Sequence, residues 1–171
     1  MRFLVIQDYK ENLRKCTLTP LEGREDFTFL RLEHPSRSAA KVEIPSGLLL
    51  LLEGPPLSLS DASYLAESPL VIVDSTWARV PKVLARLDQS RVGQLERRSI
   101  PADIVTAYPR ASKLYQDPAT GLASVEAVFA ATVVLRDPRW DILSGYPWAK
   151  EFLARNESAF QRLCPNLILP A

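Results

Sequence analysis

The stretch VIVDSTWARVPKVLARL, residues 71–87, decides the fold. It begins as a run of apolar residues typical of a buried strand and turns polar at Asp74. From Trp77 onward the apolar residues recur at helical spacing, whereas Arg79 and Lys82 fall on another face. In open α/β sheets, ligands bind beyond the carboxyl ends of the strands. Asp74 and Trp77 are therefore candidates for a ligand site.

Strand and helix patterns alternate along the rest of the chain. Strands are predicted over residues 2–7, 27–32, 47–52 and 70–74, and helices over 58–68, 77–87, 122–135 and 147–163. This alternation predicts an α/β fold whose sheet has substantial parallel character. The segment 97–121 shows little periodicity, and a loop of that length in a compact domain is usually functional or disordered.

The charges are unevenly distributed along a chain that is almost neutral as a whole. The 171 residues include 21 Lys and Arg and 20 Asp and Glu. Residues 77–113 hold eight basic and three acidic residues, so this segment carries a net charge of +5. An anionic partner such as RNA would bind there. A solvated helix face followed by a basic loop explains the same charges without a partner.

Several classes of function are disfavoured by what the sequence lacks. The two cysteines, Cys16 and Cys164, lie far apart, and with His34 as the single histidine they give no zinc ligand set. Glycine-rich phosphate motifs and the GxSxG motif are missing. The longest apolar run, GLLLLL (47–52), is far shorter than a membrane span. We therefore expect a cytoplasmic protein with free thiols, no metal and no membrane partner.

The remaining chemistry-bearing residues are hydroxyls, an indole and carboxylates. They are Thr17, Thr19, Asp74, Trp77 and Glu126. Apolar walls with a few polar groups suit a nucleoside-like ligand. Each residue also has a purely structural explanation: the indole as a core side chain, the threonines as caps or turn residues, and the glutamate as a first-turn carboxylate.

Six segments resemble, in order, the motifs of one group of enzymes. LVIVDSTWARV (70–80) resembles the Asp-x-Ser/Thr-Trp signature of two related families of S-adenosylmethionine-dependent 3-amino-3-carboxypropyl transferases. One family modifies a uridine of small-subunit ribosomal RNA, and the other, the DTW-domain family, modifies uridine in tRNA. The other five segments are RKCTLTPL (14–21), GLLLLLEGPPLSLSDASYL (47–65), RSIP (98–101), LASVEAVFAA (122–131) and YPWAKEFLARN (146–156).

Two segments bear on which family is nearer. The last segment, 146–156, resembles a motif of the ribosomal family alone. In contrast, AYPRASKLYQDP (107–118) lacks the two asparagines of the ribosomal family's loop and is more similar to the DTW family's basic loop. The resemblance therefore favours ribosomal RNA or a pre-ribosome as the partner, with tRNA as the alternative.

The resemblance implies a SPOUT-like α/β sheet with a C-terminal trefoil knot and a small N-terminal α/β portion. Residues 1–171 would form one compact unit, with residues 1–69 as the N-terminal portion and 70–171 as the knotted, cofactor-binding portion. It also implies a monomer that binds S-adenosylmethionine. A uridine ring nitrogen would attack the γ-carbon of the methionine moiety and release methylthioadenosine.

The resemblance also implies roles for individual residues. Cofactor-binding residues would be Thr17, Thr19, Leu51, Leu52, Asp74, Trp77, Ile100, Tyr115, Leu122, Ser124 and Glu126. RNA-binding residues would be Arg79, Lys82, Arg97, Arg98, Arg110 and Lys113. Asp74, the candidate catalytic residue, would either fix the cofactor or accept the uridine N3 proton.

Two alternatives use the same features. A SPOUT-type RNA methyltransferase would bind the same cofactor but place its methyl group in line with the nucleophile, and it would release S-adenosylhomocysteine. A non-catalytic RNA-binding ribosome assembly factor would keep the fold without cofactor binding.

Overall fold

A five-stranded parallel sheet forms the centre of the structure, a computed structural model that describes residues 1–38, 40–109, 118 and 120–168. The strands are β1 (Phe3–Gln7), β2 (Phe27–Arg31), β3 (Leu48–Leu50), β4 (Leu70–Asp74) and β5 (Glu96–Arg98). Their order across the sheet is β2-β1-β4-β3-β5, and every neighbouring pair is parallel. The prediction of an α/β fold with a parallel sheet is confirmed.

The helices lie largely where the sequence predicts them. They are α1 (Ala62–Glu67), α2 (Val80–Leu84), α3 (Gln89–Val92), α4 (Ser124–Val134) and α5 (Ala149–Leu163), with 3-10 turns at Thr19–Leu21, Leu59–Asp61, Trp77–Arg79 and Trp140–Leu143. The helix expected from Trp77 begins as a 3-10 turn, because Pro81 has no N–H to donate to the Trp77 carbonyl and Val80 donates to it instead.

The strand β5 was not predicted. Glu96, Arg97 and Arg98 pair with Leu48, Leu49 and Leu50 at the edge of the sheet. Charged residues are common on edge strands, where backbone pairing on one side is enough to form the strand. The segment therefore carries no hydrophobic periodicity that a sequence pattern could reveal.

Two apolar layers cover the two faces of the sheet. On one face α4 packs against α5, and nine of the eleven residues of α4 are buried, as its almost wholly apolar sequence predicts. On the other face Val83 and Leu87 pack with the strand residues Ile6 and Val71. Within the part of the chain described, no helix is long and apolar enough to cross a membrane.

Replacing Phe129 with alanine is expected to destabilise the fold strongly. The ring is fully buried and lies against the rings of Trp140, Phe152 and Phe160. Removing it leaves a cavity, so the free energy of unfolding in urea should fall by about 3–5 kcal/mol. The control is Ile168→Ala, which truncates a side chain that is 85% exposed and should change the value by less than about 0.5 kcal/mol. Equal effects would contradict this account of the core.

Candidate active site

A pocket opens at the carboxyl ends of β3 and β4 and extends to the first turn of α4. It encloses about 1160 Å³ of space free of protein atoms, part of it open to solvent. Eight of the predicted cofactor-binding residues line it: Thr17, Leu51, Leu52, Asp74, Trp77, Ile100, Leu122 and Ser124. The fold thus brings together segments that lie more than one hundred residues apart in the sequence.

Asp74 is held at the base of this pocket by three hydrogen-bond donors. The residue is only 4% exposed. Its Oδ1 accepts a hydrogen bond from the Ser124 hydroxyl at 2.8 Å, and its Oδ2 accepts from the Cys16 thiol at 2.9 Å and the Gln7 amide at 3.2 Å. A buried carboxylate needs such partners, since burial without them is costly. Asp74 therefore lies in the pocket with both oxygens engaged.

Cys16 was missed by the sequence analysis as a pocket residue. Its thiol is buried, donates to Asp74 and accepts the backbone N–H of Leu18 at 3.3 Å. Burial, together with the nearby Asp74 carboxylate, raises the pKa of Cys16 to about 11. The thiol is therefore protonated at neutral pH and serves as a hydrogen-bond donor, not as a nucleophile.

Trp77 forms part of the pocket wall because Gly121 lies directly beside its indole. A Cβ atom added to Gly121 would lie 2.8 Å from Trp77 Nε1, closer than real Cβ contacts allow. Gly121 is also fixed by a hydrogen bond from its N–H to the carbonyl of Pro118 at 2.9 Å. Only glycine leaves room for this approach of backbone to indole.

Thr17 lines the pocket, whereas Thr19 lies outside its lining. The Thr17 hydroxyl lines the pocket and accepts the backbone N–H of Val125 at 3.3 Å. Thr19 begins a 3-10 turn, and its hydroxyl donates to the carbonyl of Leu13 at 2.9 Å instead of facing the pocket. Contact between Thr19 and the cofactor stays a prediction, with the side chain engaged in closing its own loop.

Glu126 also lies behind the pocket and not in it. The side chain is fully buried and accepts hydrogen bonds from the Thr106 hydroxyl (2.6 Å), the N–H groups of Ala107 and Ala123 (both 2.9 Å) and the Tyr146 hydroxyl (2.9 Å). Burial, followed by the charge of Glu126, raises the pKa of Tyr146 well above its ordinary value. Contact between Glu126 and the cofactor stays a prediction; what the structure shows is a carboxylate that holds two backbone N–H groups and two hydroxyls beside the pocket.

The predicted RNA-binding arginines Arg79 and Arg98 are both in ion pairs. Arg79 pairs with the buried Asp8 and lies over the ring of Tyr9, while Arg98 pairs with Asp61 at 2.9 Å. Burial alone would raise the pKa of Asp8, but the hydrogen bond from Arg79 holds it below its ordinary value. The charge of these two arginines is thus already balanced within the fold.

The other predicted RNA-binding residues fall into two groups. Lys82 and Arg97 are exposed. Arg110 and Lys113, and the predicted cofactor-binding residue Tyr115, lie outside the described residues.

Gln7 is a further polar residue near the site that the sequence analysis did not select. It ends an apolar strand, which is the same signal that identified Asp74. Among the residues that the structure describes, no group of three or more His, Cys, Asp or Glu side chains could hold a metal ion.

We expect the stability of the protein to fall between pH 9 and 11 because of Cys16. The thiol ionises near pH 9.0 in the unfolded chain but near pH 11 in the fold, so the native state binds more protons in this window. The stabilisation is complete below pH 9 and is lost as pH rises, by up to about 3 kcal/mol. Cys16→Ser keeps a donor for Asp74 but does not titrate here. The free energy of unfolding in urea would be measured for both proteins at several pH values. The same decrease from pH 9 to 11 in the wild type and in Cys16→Ser would contradict the expectation.

Comparison with known proteins identifies the family. The sequence model of the family described as "Ribosome biogenesis protein, C-terminal" matches residues 53–165. No curated protein gives a significant match. Among solved structures, the chain is similar to the SAM-dependent rRNA:acp-transferase Tsr3 from Vulcanisaeta distributa, with a TM-score of 0.70 and 23% identity over 95% of this chain and 82% of that chain. The family match covers more than half of the sequence. The chain therefore belongs to this ribosome biogenesis protein family.

Proposed function

We propose that the protein transfers a 3-amino-3-carboxypropyl group from S-adenosylmethionine to a uridine-type base of RNA, with ribosomal RNA favoured over tRNA. One observation carries this proposal. Residues from three of the motif segments, Thr17, Asp74 and Ser124, converge on a single pocket although they are distant in sequence. The family assignment and the similarity to an enzyme that is itself a SAM-dependent rRNA transferase support the same activity.

The residues of the pocket fit such a cofactor. Leu51, Leu52 and Leu122 supply apolar walls, and the Trp77 indole adds a flat face on which an aromatic or aliphatic group can pack. The Asp74 carboxylate supplies negative charge for a cationic ligand. When bound, S-adenosylmethionine supplies a sulfonium-activated carbon that a uridine nitrogen can attack.

The sulfonium activates three carbons by its charge, so the position of the ligand decides which one reacts. The apolar wall and the indole restrict that position. Control of the product therefore rests on the shape of the pocket walls and not on a strong base. This favours residues whose side chains are fixed by packing, as Trp77 is by Gly121.

The hydrogen bonds of Asp74 support a fixing role over a proton-accepting one. Three donors, from Gln7, Cys16 and Ser124, already occupy its two oxygens. Taking a proton at Oδ2 would place a hydrogen where two donors now point, whereas Oδ1 accepts only from Ser124 and keeps a lone pair for a bound ligand. We therefore assign Asp74 to holding the cofactor.

The finer features implied by the resemblance belong to this proposal. They are the SPOUT-like trefoil knot within residues 70–171, the monomeric state and the cytoplasmic location. The position of β4 between β1 and β3 supports a single unit over residues 1–171, since one sheet includes strands from both portions.

The transferase and the two alternatives give different products. The protein would be incubated with S-adenosylmethionine and either ribosomal RNA or tRNA, and the small-molecule products analysed by mass spectrometry. We expect methylthioadenosine together with a heavier nucleoside. S-adenosylhomocysteine would instead identify a methyltransferase. A folded protein that binds no cofactor up to millimolar concentration would be the non-catalytic assembly factor.

Trp77→Ala is expected to weaken cofactor binding at least tenfold, because the variant removes an aromatic wall of the pocket. Isothermal titration calorimetry would measure the dissociation constant for S-adenosylmethionine. The matched control is Trp77→Phe, which keeps a ring and should bind within a fewfold of the wild type. Unchanged affinity in Trp77→Ala, with the fold intact, would remove Trp77 from the binding site.

RNA is expected to contact exposed basic residues that flank the pocket. Lys82 and Arg97 each lie two positions from a lining residue, Val80 and Ser99 respectively. Of the predicted arginines, Arg79 is less available because Asp8 balances its charge.

Replacing Lys82 and Arg97 together with glutamine should reduce the dependence of RNA affinity on salt. Each lost phosphate contact lowers the slope of log K against log salt by about 0.7–0.9. Fluorescence anisotropy with labelled RNA at several salt concentrations would measure this slope. Arg2→Gln is the control, since Arg2 precedes β1 at the end of the sheet opposite the pocket. An equal decrease of this slope in Arg2→Gln would indicate that RNA is attracted non-specifically by the overall charge of the protein.

A further inference from the structure

The last residues of three neighbouring strands form a polar row that leads from the surface to the pocket. In the parallel register, Gln7 of β1 lies opposite Arg31 of β2 on one side and opposite Asp74 of β4 on the other. Gln7 is fully buried, whereas the Arg31 side chain is 48% exposed. Residues paired in this way project to the same face of the sheet, so their side chains can interact directly.

The hydrogen bonds along this row have a single direction. Arg31 donates through Nε and Nη2 to Gln7 Oε1 at 3.1 and 2.9 Å, and Gln7 donates through Nε2 to Asp74 Oδ2 at 3.2 Å. A guanidinium can only donate hydrogen bonds, so the oxygen of the Gln7 amide must face Arg31. Its NH₂ group must then face Asp74, which receives it as an acceptor. Arg31 is itself held by Glu22 at 3.0 Å.

We infer that Gln7 and Arg31 are positioning residues for the proposed transferase, which orient the Asp74 carboxylate toward the cofactor. The inference rests on the proposed function and adds to it two residues outside the pocket lining. Without Arg31, the Gln7 oxygen loses both of its donors, so the amide is held only by the contacts of its NH₂ group and can shift away from Asp74. Arg31 therefore acts on the pocket through Gln7, without any contact with the ligand.

The first test measures the affinity for S-adenosylmethionine by calorimetry in the full-length protein. Gln7→Met keeps the length of the side chain but has no amide, and we expect it to raise the dissociation constant at least tenfold. Arg31→Met should raise it about three- to tenfold. Because both residues act through one amide, the double variant should bind no more weakly than Gln7→Met alone.

Arg162→Met is the matched control for Arg31→Met. The Arg162 side chain is 60% exposed and is ion-paired with Asp103, so the two substitutions remove comparable surface charges. Only the Arg31 variant should lose affinity for the cofactor. The RNA affinity of both variants should match that of the wild type. A general loss of structure would instead lower the affinity for the cofactor and the affinity for RNA together.

A second readout uses the protein without cofactor. Asp74 is one of the causes that raise the pKa of Cys16, and its Oδ2 accepts from both Cys16 and Gln7. If Arg31 fixes Asp74 through Gln7, Arg31→Met should speed the alkylation of Cys16 by iodoacetamide severalfold, as measured by peptide mass spectrometry. Gln7→Met is left out of this readout, because Gln7 Nε2 also lies 3.7 Å from Cys16 Sγ and its loss would act on the thiol directly. The same reaction at Cys164 provides the internal reference.

The outcomes separate this inference from the proposed function. A wild type that binds no S-adenosylmethionine would overturn the proposed function and the inference with it. A wild type that binds, with unchanged affinity in Gln7→Met and unchanged Cys16 reactivity in Arg31→Met, would overturn the inference alone. Additive losses in the double variant would also overturn it, since they would mean that Arg31 and Gln7 act independently.

Discussion

The burial of one carboxylate constrains the whole pocket. Asp74 is almost inaccessible to solvent, and an isolated charge in that position would be costly. Its three donors come from a strand end (Gln7), a loop (Cys16) and the first turn of a helix (Ser124). The carboxylate is satisfied only when all three segments are in place. The geometry of the ligand site is thus coupled to completion of the surrounding fold.

A second buried carboxylate completes the arrangement from behind the pocket. Glu126 lies two residues after Ser124 on α4, and it binds the backbone of Ala107 and Ala123 and the hydroxyl of Tyr146. The first turn of α4 is therefore tied to Asp74 on one side and to the loop before it on the other. Two acidic residues of similar chemistry take different roles: one faces the ligand space, and the other fixes the walls of that space.

The sequence was informative where hydrophobic patterns decide the structure and less so where geometry decides it. Apolar runs predicted four strands, whereas the charged strand β5 depends on backbone pairing that leaves no pattern. The motifs identified Thr19 and Glu126 by residue type, but a motif does not say whether a side chain faces a pocket or the interior. Gln7 ends an apolar strand just as Asp74 does, but its bond to Asp74 depends on the register between strands, which the sequence does not show.

The distribution of charge along the sequence also does not show which charges are paired in the fold, and this pairing has a functional consequence. The segment that contains Arg79 and Arg98 is strongly basic in sequence, but both arginines pair with acidic residues from the N-terminal half, Asp8 and Asp61. Each pair joins a segment beside the pocket to another part of the fold, so these charges rigidify the site. The attraction for an anionic partner must then come from exposed residues such as Lys82, whose charge no described acidic residue balances. Rigidity of the pocket and the RNA affinity that we propose can therefore vary independently, because different basic residues would supply them.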